Sequence, residues 1–522
     1  MIRSSALLLF VPSNSNLSVI SLLAVFTLTI VGAMAGESDD YIQKRQAILH
    51  AEKNMFIGSQ IKLTDREKEV NDIVLKVKKS ELHEGYKNVS SFLAAQHFFD
   101  ARKKIEQSEM FSIIKKIPKG GSLHTHYLSA VSVDFIIKNI TYLDNIYGCD
   151  LNGTFKLSFV NDTYKNTICE WKKLEDYRKQ DPNFDEWLRG QLSLVVDNPG
   201  DVYPTANTIW TKFKKTFSTQ YDMVCYRPVF EMFIYQLLKE LYLDNVMYTE
   251  LRGTIMPLFD LNGTLYSNKE SLEIFVQVVE QFKKDNPGFL GVRYIHSVYR
   301  GFSPDDLRKD LQDLVHLKKS FPDFIAGFDL VGYEEEGRTL FEVHDVLMDY
   351  TKELKFFFHA GETNWFGHTD ENLLDAVLLD SSRIGHGFGM NKHPVVMLVK
   401  EKLVKEKNIC IELCPISNQV LMLIRDPRNH PAVGLMANGF PVVICNDDPS
   451  AWEATGLSYD WYVAFMAMTS EENGIQVLKQ FAINSIVYSA MGDSEKQVAL
   501  SQWESSWQKF IDEILALYAN KV

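Results

Sequence analysis

The chain has 522 residues, 46 % hydrophobic and 24 % charged, which excludes a disordered, collagenous or polytopic membrane protein. The length accommodates one large domain with additions. Lys and Arg number 55 against 68 Asp and Glu, a net charge of -13, and that balance argues against nucleic acid as a partner.

Arg3 is the only charged residue before Glu37, and the stretch from Leu17 to Val31 is almost wholly apolar. Ala33 and Ala35 stand where a signal peptidase reads small residues, and an acidic segment follows. The stretch is just long enough to span a bilayer, but these flanks favour cleavage. Residues 1–35 are expected to be a leader, and the mature chain to be secreted, extracellular and without stable membrane insertion. Sequons at Asn88, Asn139, Asn152, Asn161 and Asn262 agree with export.

Residues 36–117 read as a helical appendage that packs on the main domain or on a second copy. Thr64-Asp65-Arg66-Glu67 is a capping box, and Val70, Ile73, Val74 and Val77 follow at helical spacing, with Lys76, Lys78 and Lys79 off that stripe. Lys103, Lys104, Lys115, Lys116 and Lys119 read as a solvated face, with a polyanion partner as the sharper alternative.

From residue 118 short apolar runs alternate with helical patterns to the end of the chain. Eight strands are expected near 121–126, 246–252, 292–297, 325–330, 356–360, 383–387, 410–414 and 442–445. Nearly all-apolar strands alternating with helices mean a parallel sheet covered on both faces. The fold class is therefore α/β, a (β/α)8 TIM barrel over residues 118–522 with an N-terminal helical extension. Residues 139–203 form an insertion after strand one. It holds Cys149 and Cys169, in a polar stretch with two sequons between them, and these two are expected to pair. Such a bridge stabilises its loop by about 3 kcal/mol. Cys225, Cys410, Cys414 and Cys445 lie in apolar runs and read as buried thiols.

The polar residues of interest fall just after strands, which in a barrel is the active-site face. His124 and His126 end strand one, and their i, i+2 spacing points both imidazoles the same way. Strand five runs into His359-Ala360-Gly361-Glu362, strand six into Gly385-His386-Gly387, and strand eight into Asn446-Asp447-Asp448. Each element alone is weak: an HxH pair is often structural, and Asp447-Asp448 could be a turn. Together, on four strands, they point to one site. Three imidazoles and a carboxylate suit one zinc ion, with His124, His126, His359 and Asp447 as ligands. Zinc lowers the pKa of bound water from about 15.7 to about 7. His386 is placed to take a proton from water, and Glu362 to give one to a ring nitrogen. Strand four ends Phe328-Asp329-Leu330 and offers no lysine to bridge two metals.

These stretches resemble the adenosine deaminase superfamily, and more narrowly the secreted adenosine deaminase 2 / adenosine deaminase growth factor family. The resemblance rests on His124-x-His126, His359-Ala360-Gly361-Glu362, Arg383-Ile384-Gly385-His386-Gly387, Cys414-Pro415-Ile416-Ser417-Asn418-Gln419 and Asp447-Asp448-Pro449. It implies hydrolytic deamination of adenosine, and of 2'-deoxyadenosine, to inosine and ammonia with one zinc per chain. On it, Glu362 protonates N1 of the purine, His386 orients and deprotonates water, Asp448 meets N7 and the Gly332 N–H meets N3. Trp210 and Trp365 match positions that line the substrate pocket. The resemblance also implies a homodimer through the N-terminal helices and a cell-surface receptor for the insertion. Two positions depart from the family: Tyr127 stands where an Asp meets the ribose, and Tyr299 where a His follows strand three. An altered nucleoside preference is the expectation that follows.

Two other readings compete with this one. A barrel hydrolase of cyclic amides is disfavoured by the pairing of His359-Ala360-Gly361-Glu362 with Arg383-Ile384-Gly385-His386-Gly387. A growth-factor-like protein without turnover is disfavoured because every metal and proton-transfer position is filled. A cytidine-deaminase zinc site is excluded, since no P-C-x-x-C occurs.

Overall fold

The computed structural model describes residues 37–159, 169–398 and 409–519. The expected leader, the sequon at Asn161 and the start of the helical region lie outside them. Among the described residues no helix is long and apolar enough to cross a membrane. The helix Glu37–Met55 is a unit by itself, and residues 56–522 form a second.

Among the described residues of the second unit twelve strands follow one another: β1 (Gly120–His126), β2 (Ile146–Leu151), β3 (Thr154–Phe159), β4 (Lys172–Lys173), β5 (Val246–Gly253), β6 (Gly291–Tyr299), β7 (Ile325–Val331), β8 (Lys355–Phe356), β9 (His359–Ala360), β10 (Arg383–His386), β11 (Cys410–Leu413) and β12 (Val442–Ile444). The sheet order β1-β5-β6-β7-β8 continues in β9-β10-β11-β12, all parallel. Strands β8 and β9 are two halves of the expected fifth strand. It breaks because side chains take over its ladder: Phe358 N donates to Ser381 Oγ at 3.1 Å and His359 N to Asp329 Oδ1 at 2.9 Å. At the other seam Asp447 pairs with Thr125; His126 N donates to Asp447 O at 2.9 Å, and Asp447 N to His124 O at 3.1 Å. The ring is therefore closed, and three expected metal ligands, His124, His126 and Asp447, form part of the closure. Helices such as Arg227–Leu243, Asn268–Asp285, Pro304–Ser320 and Ile475–Val487 cover it. The helix Pro304–Ser320 starts with Ser303 as its cap and Pro at its first position.

The small sheet β3-β2-β4 is antiparallel and carries the Cys149–Cys169 disulfide, while Cys225, Cys410, Cys414 and Cys445 are buried thiols. Asn88, Asn139, Asn152 and Asn262 are exposed.

The helix Asp65–Lys87 has the expected capping box, and Val70, Val74 and Val77 are buried. Two lysines correct the sequence reading. Lys78 is fully buried and donates to Thr469 Oγ1, Ser470 O and Asn473 O at 2.6, 2.8 and 3.1 Å. Lys119 is also buried, its ammonium on Asp244 O at 2.8 Å. In both cases carbonyl oxygens from distant segments take the place of water around the amine, while burial lowers its pKa.

Candidate active site

His124 and His126 lie on one face of β1, His359 opens β9, His386 ends β10 and Asp447 follows β12. Their side chains converge. Asp447 Oδ1 is 3.3 Å from His124 Nε2 and 3.2 Å from His126 Nε2, and His126 Nε2 is 3.3 Å from His359 Nε2. His386 Nε2 lies 3.8 Å from Asp447 Oδ2 and 3.7 Å from Glu362 Oε1. Donor atoms of His124, His359, His386 and Asp447 all fall within 4.8 Å of one another, and so do those of His126, Asp447 and Asp448. His124 Nε2, His386 Nε2, Glu362 Oε1 and Asp448 Oδ1 are buried without a protein hydrogen-bond partner. Buried polar atoms turned to a common point, with the His124 Nε2 lone pair among them, fit a site for a divalent cation.

Under this cluster lies a network that sequence reading missed. His359 Nδ1 meets Asp329 Oδ2 at 2.7 Å, and His124 Nδ1 meets Glu412 Oε2 at 2.8 Å. A carboxylate on Nδ1 fixes the proton there and leaves Nε2 free to bind metal. Arg252 bridges the two carboxylates, donating from Nη1 to Asp329 at 2.6 Å and from Nη2 to Glu412. Arg383 joins Glu412 to Glu250 at 2.6 and 2.5 Å. All five charged side chains are buried. In the sequence they are scattered over four apolar strands, Glu250 and Arg252 sharing one, and only the ring brings them together.

The family model described as adenosine deaminase matches residues 201–505, and the model described as adenosine/AMP deaminase N-terminal matches residues 20–114. A protein named adenosine deaminase from Phlebotomus duboscqi is 41% identical over 91% of this chain and 92% of its own. Adenosine deaminase 2 of Sus scrofa is 41% identical over 90% of this chain and 94% of its own. The chain belongs to the adenosine deaminase family. Its fold is similar to that of an amidohydrolase from Burkhoderia ambifaria with bound Zn, at TM-score 0.54 and 18% identity over 78% of this chain and 95% of the other.

The deaminase has a pocket of about 400 Å³ over the cluster. The helix Ala206–Val224 supplies one wall with Trp210, Phe213, Lys214, Phe217 and Ser218, and Tyr299, Gly332, Glu362 and Asp448 supply others. Trp210 stacks on Tyr333 with centroids 4.7 Å apart. Tyr299 lies over Gly332, whose φ of 106° and missing Cβ permit it; a Cβ there would come within 2.6 Å of the ring.

Two expected pocket residues are elsewhere. Tyr127 is buried against Phe230 and Phe275, and its hydroxyl donates to Thr254 O. The chain turns sharply after His126, and Gly253 leaves the space that the ring fills. Tyr127 is thus a core residue and does not line the pocket. Trp365 is 63% exposed on the loop after β9 and is likewise absent from the pocket lining.

Burial lowers the pKa of His126 and His386, and pushes that of His359 down to about 3, so these imidazoles are neutral. Burial opposes ionisation of Asp447, but the neighbouring His124 and His126 imidazoles outweigh it and hold its carboxyl well below the usual range. Burial raises Glu362 well above that range, with Asp447 and Glu334 adding to the effect. Burial and the neighbouring Asp447 raise Asp448 in the same way. The pocket therefore favours the ionised form of one carboxyl, Asp447, and the protonated form of two others, Glu362 and Asp448. Pushing carboxyl pKa values apart is how one site keeps both a charge and a proton donor.

Proposed function

We propose that this protein hydrolyses adenosine, with 2'-deoxyadenosine as a second substrate, to the corresponding inosine nucleoside and ammonia, using one zinc ion held by His124, His126, His359 and Asp447. The convergence of the imidazoles of His124, His126 and His359 with the Asp447 carboxylate, beneath a pocket that also holds Glu362, carries this reading. The names of the relatives and the bound Zn of the fold neighbour support it. When bound, zinc supplies the Lewis acidity that lowers the pKa of water to about 7.

The residues account for the rest of the chemistry. Glu362 gives its proton to N1 of the purine, which makes C6 electrophilic. Asp448, kept protonated, donates to N7, and the Gly332 N–H donates to N3. His386 orients the attacking water. Trp210 and Tyr299 border the nucleoside, and the apolar wall of Phe213 and Phe217 excludes bulk water from the base. The oxygen of water bonds to C6 as the C6–N bond breaks. One water hydrogen ends on ammonia and the other restores the proton that Glu362 gave to N1.

The leader and the exposed sequons support secretion. We assign homodimerisation to the N-terminal helices, and contact with a cell-surface receptor or a polyanion to the insertion and to Lys103, Lys104, Lys115 and Lys116.

Ultraviolet monitoring of adenosine by the purified protein, with and without a zinc chelator, tests the reading. Turnover that the chelator abolishes and zinc restores is expected; a zinc-loaded protein that forms no inosine overturns it. Glu362→Ala is expected to keep zinc by metal analysis and lose about 10²–10⁴-fold in kcat. Loss of the metal in that variant means that Glu362 belongs to the ligand set.

A further inference from the structure

The imidazole of His386 is held from behind by a chain of hydrogen bonds whose direction is set at its far end. The backbone N–H of Ala432 reaches His430 Nδ1 at 3.0 Å. A backbone N–H can only donate, so Nδ1 of His430 accepts and carries no proton. With Nδ1 bare, the ring proton of this imidazole is on Nε2. That nitrogen lies 2.9 Å from Asn418 Oδ1 and donates to it. The amide of Asn418 then presents Nδ2 to His386 Nδ1 at 3.1 Å. An amide NH2 also only donates, so Nδ1 of His386 accepts. His386, His430 and Asn418 are all buried, so no solvent competes for these bonds. An imidazole whose Nδ1 must accept is neutral and carries its proton on Nε2. In His386 that nitrogen faces the pocket, with Glu362 Oε1 and Asp447 Oδ2 as its nearest charged-group atoms among the ion pairs.

We propose that Asn418 and His430 are positioning residues that lock His386 in the Nε2–H tautomer, so that His386 donates a hydrogen bond to the attacking water and does not accept its proton. This departs from the base role expected from the sequence. It rests on the deaminase reading for the identity of the water, while the tautomer itself rests on geometry alone. Sequence reading quoted Asn418 only as part of a motif and gave His430 no role, since 32 residues separate His386 from Asn418 and 12 separate Asn418 from His430.

Neutron diffraction from deuterated, metal-free crystals of the unvaried protein reads the relay directly. Deuterium on Nε2 of both His386 and His430, with none on either Nδ1, is expected. Deuterium on Nδ1 of His386 overturns the proposal. This measurement needs neither turnover nor a variant that folds, so it separates failure of the relay from failure of the deaminase reading. Kinetics supply the second arm. Asn418→Ala is expected to lower kcat about tenfold or more, with KM within about threefold, and to cost less than about twofold when His386 is already Ala. Equal losses in both backgrounds would show a general structural role and sink the assignment.

Discussion

His386 and Asp447 adopt φ of 60° and 57°, in the left-handed region that residues other than glycine seldom occupy. Such backbones cost of order 1 kcal/mol each and persist where the surroundings over-determine them. Here the surroundings are visible: His386 is held by Asn418, and Asp447 by the backbone bonds that close the ring. Tyr127 shows the opposite case, a residue next to the ligands that serves only packing. Tyr127→Phe loses one bond to Thr254 O, so a cost of about 1 kcal/mol in urea unfolding is expected. The ratio of adenosine to 2'-deoxyadenosine turnover should stay unchanged; a shifted ratio would return the phenol to the pocket. His430 makes a pH prediction. Its folded pKa of about 3 lies below its unfolded value of about 6.5, so the unfolded chain binds the extra proton. The contribution is whole above pH 6.5 and is lost as pH falls toward 3, at up to about 1.4 kcal/mol per unit. In His430→Gln the dependence of unfolding free energy on pH between about 4.5 and 6 should be shallower by about one proton.

At the scale of elements, the helix Asp65–Lys87 illustrates how a local signal and a distant contact share one residue. Glu67 closes the capping box through Oε2, and its Oε1 accepts from Trp507 Nε1 and Lys479 Nζ, each at 2.7 Å. Removing only the Thr64 half of the box by Thr64→Ala should cost about 1 kcal/mol, read as a lower urea midpoint with an unchanged slope. A change well beyond 2 kcal/mol would mean that Thr64 also supports the contact with the C-terminal helix Asp493–Tyr518. The broken fifth strand follows the same logic. Asp329 spends one carboxyl oxygen on the His359 backbone and the other on its ring, so the break in the ladder is the means of aiming a ligand.

For the whole molecule, the closing seam of the barrel and the candidate metal centre are one structure. A cation bound by His124, His126, His359 and Asp447 links β1, β9 and the segment after β12, and an ion that binds only the folded state stabilises it by mass action. Stripping the metal should therefore lower Tm in differential scanning calorimetry as well as abolish turnover, with zinc restoring both. A Tm indifferent to chelator would separate the ion from the seam. The buried arginine–carboxylate network beneath the site limits this effect, because Arg252 and Arg383 hold Asp329, Glu412 and Glu250 together whether or not an ion is bound.

Much of this was legible in the linear chain. Apolar runs of strand length between helical patterns placed all eight barrel strands, because burial on both faces leaves a continuous hydrophobic signature. The histidines that converge with Asp447, and Glu362 beside them, were legible because each sits at or near a strand end, and the Cys149–Cys169 pair because it stands in a polar insertion. The direction of Tyr127, the burial of Lys78 and Lys119, the carboxylates behind His124 and His359, and the relay behind His386 depended on tertiary structure. Periodicity reports which face of an element is apolar; it carries no record of which distant carbonyl, carboxylate or ring that face meets once the barrel closes.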